Sequence, residues 1–132
     1  MRLLIVDDEA DIRNLVADLL AGDPYTFTIC ASYADAVEFA SSPGAKIDLL
    51  LCDIILPPFH GRDLANRLVG MHPDLKVLFM SGYPFKLLKQ HSLLPLEAGF
   101  LPKPFKKAQL TEALAVLAGK AKPWVRAAAG NP

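Results

Sequence analysis

The sequence lacks any apolar run long enough to cross a membrane, because no segment approaches the roughly 18 consecutive residues that a span needs. The first apolar run, residues 3–6, is also too short for the hydrophobic region of a signal peptide, and it leads directly into three acidic residues. We therefore expect a cytoplasmic protein that is not inserted in a membrane.

An excess of charge of either sign is also missing. The 132 residues carry 14 basic and 14 acidic side chains, so the formal net charge is zero and gives no electrostatic reason to expect nucleic-acid binding. The two signs are nevertheless separated, since ten acids lie in residues 1–53 and eleven basic residues lie in residues 54–132. This asymmetry is compatible with a basic binding tail, or with an acidic site that the first half of the chain builds.

Cysteine is scarce, and a glycine-rich loop is absent after the first apolar run. Cys30 and Cys52 sit in apolar segments without a Cys or His partner at zinc-ligand spacing. They are either a redox pair or two small buried hydrophobic residues, and we favour the second interpretation. The missing glycine-rich loop argues against nucleotide binding.

What the sequence does contain is an alternation of short apolar runs with amphipathic stretches. The runs predict five β-strands, over residues 2–7, 26–31, 47–52, 76–80 and 98–101. The amphipathic stretches predict helices over residues 12–19, 33–42 (with Ser32 as its cap), 61–71 and 106–118. Residues 84–97, bracketed by Pro84 and Pro95, predict only a short or irregular helix.

Strands that alternate with helices join through right-handed crossovers, so the pattern predicts an α/β fold with a five-stranded parallel sheet and helices on both faces. In such sheets the functional crevice lies outside the carboxyl ends of the strands. The candidate site residues are therefore those that follow the predicted strands, namely Asp7 and Asp8, Asp53, Ser81 and Lys103.

Three carboxylates at one sheet edge repel one another and favour the presence of a cation. Magnesium is commonly held by one or two carboxylates together with waters and phosphate oxygens. We expect Asp8 and Asp53 to be direct ligands and Asp7 to lie nearby or to act through water. The backbone carbonyl of Ile55 would add another oxygen.

The same residues suit phosphoryl transfer. Asp53 would attack phosphorus as a nucleophilic carboxylate, Lys103 would neutralise charge on the phosphoryl group, and Ser81 would donate a hydrogen bond to it. Each residue alone has an ordinary interpretation as a helix cap, a turn residue or a surface lysine. The functional interpretation depends on four separate strand ends each supplying a part of one site.

The segments LLIVDDE, LLLCDIILPPFHG, VLFMSGYP and FLPKPF resemble the response-regulator receiver domain, and the resemblance covers roughly residues 1–119. It implies a flavodoxin-like (βα)5 fold with strand order 2-1-3-4-5. It also implies that Asp53 accepts a phosphoryl group from a histidine kinase or a histidine phosphotransfer protein. Such a chain is a phosphoacceptor that assists its own phosphorylation and dephosphorylation, not an enzyme in the usual sense.

The resemblance assigns further roles. Asp7 and Asp8 belong to the magnesium pocket, Ser81 is the switch hydroxyl, Phe100 is the aromatic rotamer switch, and Lys103 contacts the phosphoryl group. A cis peptide bond is expected before the proline that follows this lysine.

The output surface is expected within residues 84–119, where a downstream protein or a second copy of the chain would dock. We expect residues 120–132 to form a flexible tail, too short for a helix-turn-helix domain. Bulky Ile55 and Tyr83 flank the site, and our hypothesis is that they slow hydrolysis of the acyl phosphate.

Two alternatives stay open at this point. A magnesium-dependent aspartyl phosphatase or phosphotransferase of the haloacid-dehalogenase type would need a second Asp where this chain has Ile55. A pseudo-receiver would bind partners without phosphorylation, which the intact acidic residues and lysine argue against.

Overall fold

Five parallel strands form the central sheet of the computed structural model, which describes residues 1–91, 99–119 and 124. These strands are β1 (Arg2–Val6), β2 (Thr26–Cys30), β3 (Leu49–Asp53), β6 (Lys76–Ser81) and β7 (Gly99–Pro102). Two further strands of two residues each, β4 (Ile55–Leu56) and β5 (Phe59–His60), pair as a separate antiparallel hairpin. The order of the large sheet is β2-β1-β3-β6-β7, which is the predicted order 2-1-3-4-5 once the hairpin is set aside.

Helices connect the strands of the sheet, and their bounds follow the sequence pattern closely. They are α1 (Ala10–Leu20), α2 (Tyr33–Ala40), α3 (Gly61–Val69), α4 (Phe85–Gln90) and α5 (Lys107–Ala118). Ser32 caps α2 as predicted, because its side chain accepts a hydrogen bond from the Asp35 amide at 3.1 Å. The short helix predicted within 84–97 is present as α4, whereas residues 92–98 lie outside the described part of the chain.

The sheet has a hydrophobic cluster on each face. All five residues of β3 are buried, and successive side chains point to opposite faces. Leu50 and Cys52 join the cluster under α2 and α3, whereas Leu49 and Leu51 join the cluster under α1 and α5. A strand that is covered on both faces reads as a continuous apolar run, which is why the sequence pattern identified it.

The sequence-based boundaries differ from the observed ones at several places. Strand β3 begins at Leu49 and not at Ile47. Ile47 lies in the preceding loop with its side chain in the core, and the exposed Asp48 side chain accepts a hydrogen bond from the Arg2 amide at 2.8 Å. Helix α2 ends at Ala40, and the hydroxyl of Ser41 donates a hydrogen bond to the Val37 carbonyl in the last turn of the helix. The hairpin of β4 and β5 was not predicted, because two-residue strands are too short to show a period.

The positions of the two cysteines exclude a disulfide between them. Cys30 and Cys52 are both free and buried. Each pairs with Val6 of the strand that separates them, so two strand spacings, about 9.6 Å, lie between their Cα atoms. This distance exceeds the roughly 7 Å limit for a bridge, so the cysteines act as small buried hydrophobic residues.

The end of the chain is described only at Trp124, which is hydrogen-bonded to the rest of the protein. The predicted flexibility of the tail therefore stays a prediction for residues 120–123 and 125–132. In the parts of the chain that the structure describes, no helix combines the length and the hydrophobicity that a membrane crossing requires.

Candidate functional site

The sheet brings the predicted strand-end residues to one edge. Asp53 is the last residue of β3 and Ser81 is the last residue of β6, while Asp7 directly follows β1. Lys103 directly follows β7, and its backbone amide donates a hydrogen bond to the Ser81 carbonyl at 2.8 Å. The parallel register of these strands therefore places residues that are far apart in sequence within one crevice.

Lys103 bridges two buried carboxylates. Its Nζ lies 2.8 Å from Asp7 Oδ2 and 2.7 Å from Asp53 Oδ2. The exposed fractions of the three side chains are only 8% for Lys103, 0% for Asp7 and 9% for Asp53. Hydrogen bonds between opposite charges at such distances are strong, so one ammonium holds both carboxylates in place.

Burial and charge shift the titration of this group. The pKa of Asp53 is raised, chiefly because the carboxylate is buried and secondarily because Asp7 is close; the hydrogen bonds from Lys103 and the Ile55 amide oppose this shift. Burial lowers the pKa of Lys103, but its bonds to Asp53 and Asp7 outweigh burial, and the pKa is raised overall. Lys103 is therefore held in its charged form.

Both carboxylate oxygens of Asp53 are engaged. Oδ2 accepts from Lys103, and Oδ1 accepts from the backbone amide of Ile55 at 2.9 Å. Behind Asp53, Gly61 approaches so closely that an added Cβ would collide with the Asp53 carbonyl and lie 2.9 Å from the Phe79 ring. The start of α3 is therefore restricted to glycine at this position, and it fixes the backbone under the carboxylate.

Four acids converge in the crevice, one more than predicted. Asp7, Asp8, Glu9 and Asp53 each offer a carboxylate oxygen, and these four oxygens lie within 4.8 Å of one another. Asp8 and Glu9 are exposed, so the crevice opens to solvent on their side. Four acids against a single lysine leave a local excess of negative charge, and their oxygens are the hard donors that Mg²⁺ prefers. The residues present therefore fit a magnesium ion.

Glu9 is the site residue that sequence reasoning missed. Its Oε1 lies 3.5 Å from Lys103 Nζ, and its amide donates to Asp7 Oδ1 at 2.8 Å. The signal was present in the run of three acids after the first strand, of which only the first two were assigned to the site. The predicted contribution of the Ile55 carbonyl to metal binding stays a prediction.

Ser81 is the last residue of β6, the strand next to β3, and Phe100 lies on the neighbouring strand β7. Ser81 is buried, with 1% exposure, and its Oγ accepts a hydrogen bond from the Tyr83 amide at 3.0 Å. Phe100, on the edge strand β7, is half-buried against the cluster under α2 and α3. Their switching roles stay predictions. The peptide bond between Lys103 and Pro104 is cis, as expected, and so is the bond between Pro57 and Pro58.

Comparison with known proteins gives a consistent result. Residues 3–115 match the family described as "Response regulator receiver domain". The response regulator receiver protein CpdR of Brucella abortus is 34% identical over 104 residues, which cover 79% of this chain and 85% of that protein. The sensor kinase CckA of the same organism is 33% identical over 108 residues, covering 82% of this chain. The chain spans only 11% of that kinase's length.

Solved structures are similar over most of the chain. A response regulator receiver protein from Sinorhizobium medicae superposes with a TM-score of 0.76 at 29% identity, covering 89% of this chain and 94% of that one. The chemotaxis protein CheY4 of Vibrio cholerae has a TM-score of 0.74 at 22% identity, covering 88% and 97% of the two chains, and shows similarity of fold alone.

Proposed function

The chain belongs to the response regulator receiver domain family of two-component signalling, and from this membership we propose that Asp53 accepts a phosphoryl group from a phosphohistidine. The donor is a histidine kinase or a histidine phosphotransfer protein. The observation that carries the proposal is the geometry at the end of β3, where Lys103 and the Ile55 amide orient the two oxygens of a nearly buried carboxylate beside an acidic cluster.

The transfer exchanges one bond for another. A carboxylate oxygen of Asp53 forms a bond to phosphorus as the bond between phosphorus and the histidine nitrogen breaks, and the imidazole keeps the electron pair and then takes a proton. Lys103 already lies 2.7 Å from Asp53 Oδ2, so its ammonium can move to a phosphoryl oxygen with little displacement. Its raised pKa keeps it protonated throughout the neutral range.

Magnesium would be held by Asp8, Asp53 and the backbone carbonyl of Ile55, with Asp7 nearby or acting through water. When bound, it would neutralise charge on the phosphoryl oxygens. The chain's own residues contribute orientation and charge. Asp7 is fixed by Lys103 on Oδ2 and by the Glu9 amide on Oδ1, so it keeps the lysine in the crevice while Asp53 changes partners.

The phosphoryl group would bias a two-state element. It adds nearly two negative charges to a crevice that is already acidic, so a nearby donor is drawn toward it. Ser81 is that donor: its hydroxyl now accepts from the Tyr83 amide and would turn to donate to a phosphoryl oxygen. Because Ser81 pairs with Pro102 of β7, its movement would be felt by Phe100 on the same strand.

We place the output surface, where a partner would dock, within residues 84–119. On α4, Leu87 is 42% exposed between the exposed Lys86 and Lys89, and Lys106 and Lys107 are exposed where α5 begins. An apolar residue set among lysines suits a downstream protein with an acidic rim, or a second copy of this chain. The side chain of the first residue of α4 lies outside the described part of the structure.

We infer one phosphoryl group per chain and no sustained turnover, so the protein is a phosphoacceptor and not an enzyme. An aspartyl phosphatase would need a proton donor at position 55, where an isoleucine side chain cannot serve. A partner-binding role without phosphorylation is disfavoured because Asp53 and Lys103 are both present and paired. A cytoplasmic location without direct nucleic-acid or membrane binding completes the proposal.

Intact mass measurement tests the proposed chemistry. The wild-type chain, incubated with acetyl phosphate and Mg²⁺, should gain the mass of one phosphoryl group, and hydroxylamine should remove it because an acyl phosphate is labile to that nucleophile. Asp53→Asn should gain nothing. Asp74→Asn, which changes an exposed aspartate before β6, should be labelled like wild type.

The same experiment separates the alternatives. Labelling that is abolished by a chelator and by Asp8→Asn would support the assigned metal ligands. Continued release of phosphate beyond one equivalent per chain would favour the phosphatase. No labelling from acetyl phosphate or from a phosphorylated histidine phosphotransfer protein would favour a partner-binding domain that is not phosphorylated.

A further inference from the structure

The one tryptophan of the chain is hydrogen-bonded to helix α3 and to the residue that precedes β6. The backbone amide of Trp124 donates to the Leu75 carbonyl, just before β6, at 2.7 Å. Its indole Nε1 donates to Asn66 Oδ1, on α3, at 3.1 Å. Asn66 is only 7% exposed, so this indole supplies a donor to a buried polar side chain.

The indole ring packs against the core under α3. Trp124 is half-buried, and its ring meets the Phe79 ring edge-on, with centroids 5.6 Å apart and planes at 70°. This arrangement is the favourable one for two aromatic rings. Two hydrogen bonds and an aromatic contact from one residue constitute a specific docking geometry.

Trp124 lies on the opposite face of the sheet from the helix that precedes it. Helix α5 packs in the cluster with α1, whereas Trp124 packs in the cluster with α2 and α3. Both are attached at the start of β6, because Lys76 Nζ donates to the Ala118 carbonyl at 3.0 Å and Leu75 accepts from Trp124. Trp124 therefore joins α3 to β6 from the side opposite α5.

The Phe79 ring and Gly61 lie between Trp124 and the backbone of Asp53. Phe79 is fully buried, and its ring lies against Gly61, which in turn lies against the carbonyl of Asp53. Phe79 also precedes Ser81 by two residues on β6. A contact on the Phe79 ring therefore acts on the strand that carries the switch hydroxyl and on the turn beneath Asp53.

We propose that Trp124 is an intramolecular strap that stabilises the unphosphorylated arrangement and loosens when Asp53 is phosphorylated. The inference rests on the proposed function. The indole of Trp124 is docked in the same structure in which Ser81 Oγ accepts from the Tyr83 amide. Docking therefore favours the position of β6 in which Ser81 makes this bond. Coupling between two sites is reciprocal: if phosphorylation weakens docking of the indole, docking of the indole opposes phosphorylation to the same degree.

Because Trp124 is the sole tryptophan, its fluorescence reports docking directly in the full chain. Acrylamide quenching is measured before and after incubation with acetyl phosphate and Mg²⁺, with the phosphorylated fraction determined by intact mass. We expect the quenching constant to rise about twofold with phosphorylation. Asp53→Asn, treated identically, should show no change.

A second measurement uses variants outside the phosphorylation site. Trp124→Ala should be phosphorylated roughly fivefold faster than wild type, because loss of the strap raises the population of the arrangement that accepts the phosphoryl group. Trp124→Phe, which keeps an aromatic ring but loses the bond to Asn66, should be intermediate, and it serves as the working variant if the alanine variant does not fold. Asn66→Ala should raise quenching in the unphosphorylated state.

The outcomes separate the strap from the proposed function. A mass gain with unchanged quenching, together with wild-type rates for both Trp124 variants, would overturn the strap and leave the phosphoacceptor intact. Absence of a mass gain under every donor would overturn both. Slower phosphorylation of the Trp124 variants would reverse the sign of the coupling and also refute the proposal.

Discussion

Replacing Asp53 by asparagine should stabilise the metal-free protein at neutral pH. Asp53 is nearly buried, and its pKa is raised mainly by that burial, so its charge opposes folding even though Lys103 is bonded to it. Asparagine has nearly the same shape and retains one oxygen that can accept from Lys103 or from the Ile55 amide, whereas its NH2 group faces the other donor and that bond is lost. The substitution therefore removes a charge without opening a cavity.

The expected magnitude follows from the geometry. The oxygens of Asp7 and Asp53 lie within 4.8 Å, which at an effective dielectric constant of about 20 corresponds to a repulsion of roughly 3.5 kcal/mol or more. The burial of the Asp53 charge costs several kcal/mol more. Against these stands the attraction to Lys103 at 2.7 Å, about 6 kcal/mol on the same scale. We expect a net gain of about 1–2 kcal/mol in the free energy of unfolding, because part of the hydrogen bonding survives.

The pH dependence has a defined sign. A carboxyl whose pKa is raised on folding favours the folded state below its ordinary value of 3.8, and this contribution is lost as the pH rises through the raised pKa. The advantage of Asp53→Asn should therefore be complete at neutral pH and should shrink as the pH falls toward 3.8.

Urea denaturation in a chelating buffer measures the difference in stability between wild type and Asp53→Asn without metal. The same titration with Mg²⁺ measures how much the ion stabilises wild type. Magnesium at ten times its dissociation constant should stabilise wild type by about 1.4 kcal/mol. This removes most of the stability difference between wild type and Asp53→Asn, and Asp8→Asn should not show the stabilisation by magnesium. Asp74→Asn is the exposed control and should change stability by less than about 0.5 kcal/mol. If the Asp53→Asn variant is less stable than wild type in the chelator, or if its advantage grows on acidification, the electrostatic reasoning is wrong.

Three further predictions concern the surroundings of the site. Lys103→Met should lower the free energy of unfolding by about 3 kcal/mol in urea denaturation, because two buried carboxylates lose their partner. The stabilisation that comes from Lys103 is fully present below pH 10.5 and is lost only as the pH rises through its raised pKa. Gly61→Ala should lower the free energy of unfolding by roughly 2–3 kcal/mol because the added methyl group overpacks the site. Gly82→Ala, where an added Cβ meets nothing within 4 Å, should leave the free energy of unfolding nearly unchanged. Equal effects of the two substitutions would contradict the close approach of Gly61 to Asp53. Tyr83→Asn and Ile55→Asn should each shorten the lifetime of the phosphoryl group roughly threefold, which corresponds to about 0.7 kcal/mol in the barrier to hydrolysis. The lifetime is measured as the loss of added mass over time. Unchanged lifetimes would refute the hypothesis that these side chains slow hydrolysis.

The sequence was informative where local pattern and a fold rule act together. Apolar runs located the strands, and the rule that chemistry lies at strand ends selected Asp7, Asp53 and Lys103, which the structure brings to within hydrogen-bonding distance. Glu9 was missed because an acid at the start of a helix already has an ordinary explanation in the helix dipole.

Contacts without a local signature could not be predicted. Asn66 and Trp124 are 58 residues apart, and nothing near either residue indicates the other. The hairpin of β4 and β5 has two-residue strands around a pair of prolines, so neither period nor propensity identifies it. The predicted domain bounds of 1–119 and 120–132 also depend on long-range contacts of this kind, and they stay predictions.

The burial of β3 has a consequence for how stiffness is distributed through the molecule. All five of its residues are buried, and it is flanked by β1 and β6, so its amides should exchange with deuterium only through global unfolding. Helix α4 has six residues, and of these Leu88 is buried, so its amides should exchange through local opening at far lower free energy. If Asp53 is phosphorylated as we propose, the added group lies at the end of a strand that we expect to be rigid. We therefore expect the resulting displacement to appear in α4 and not in β3.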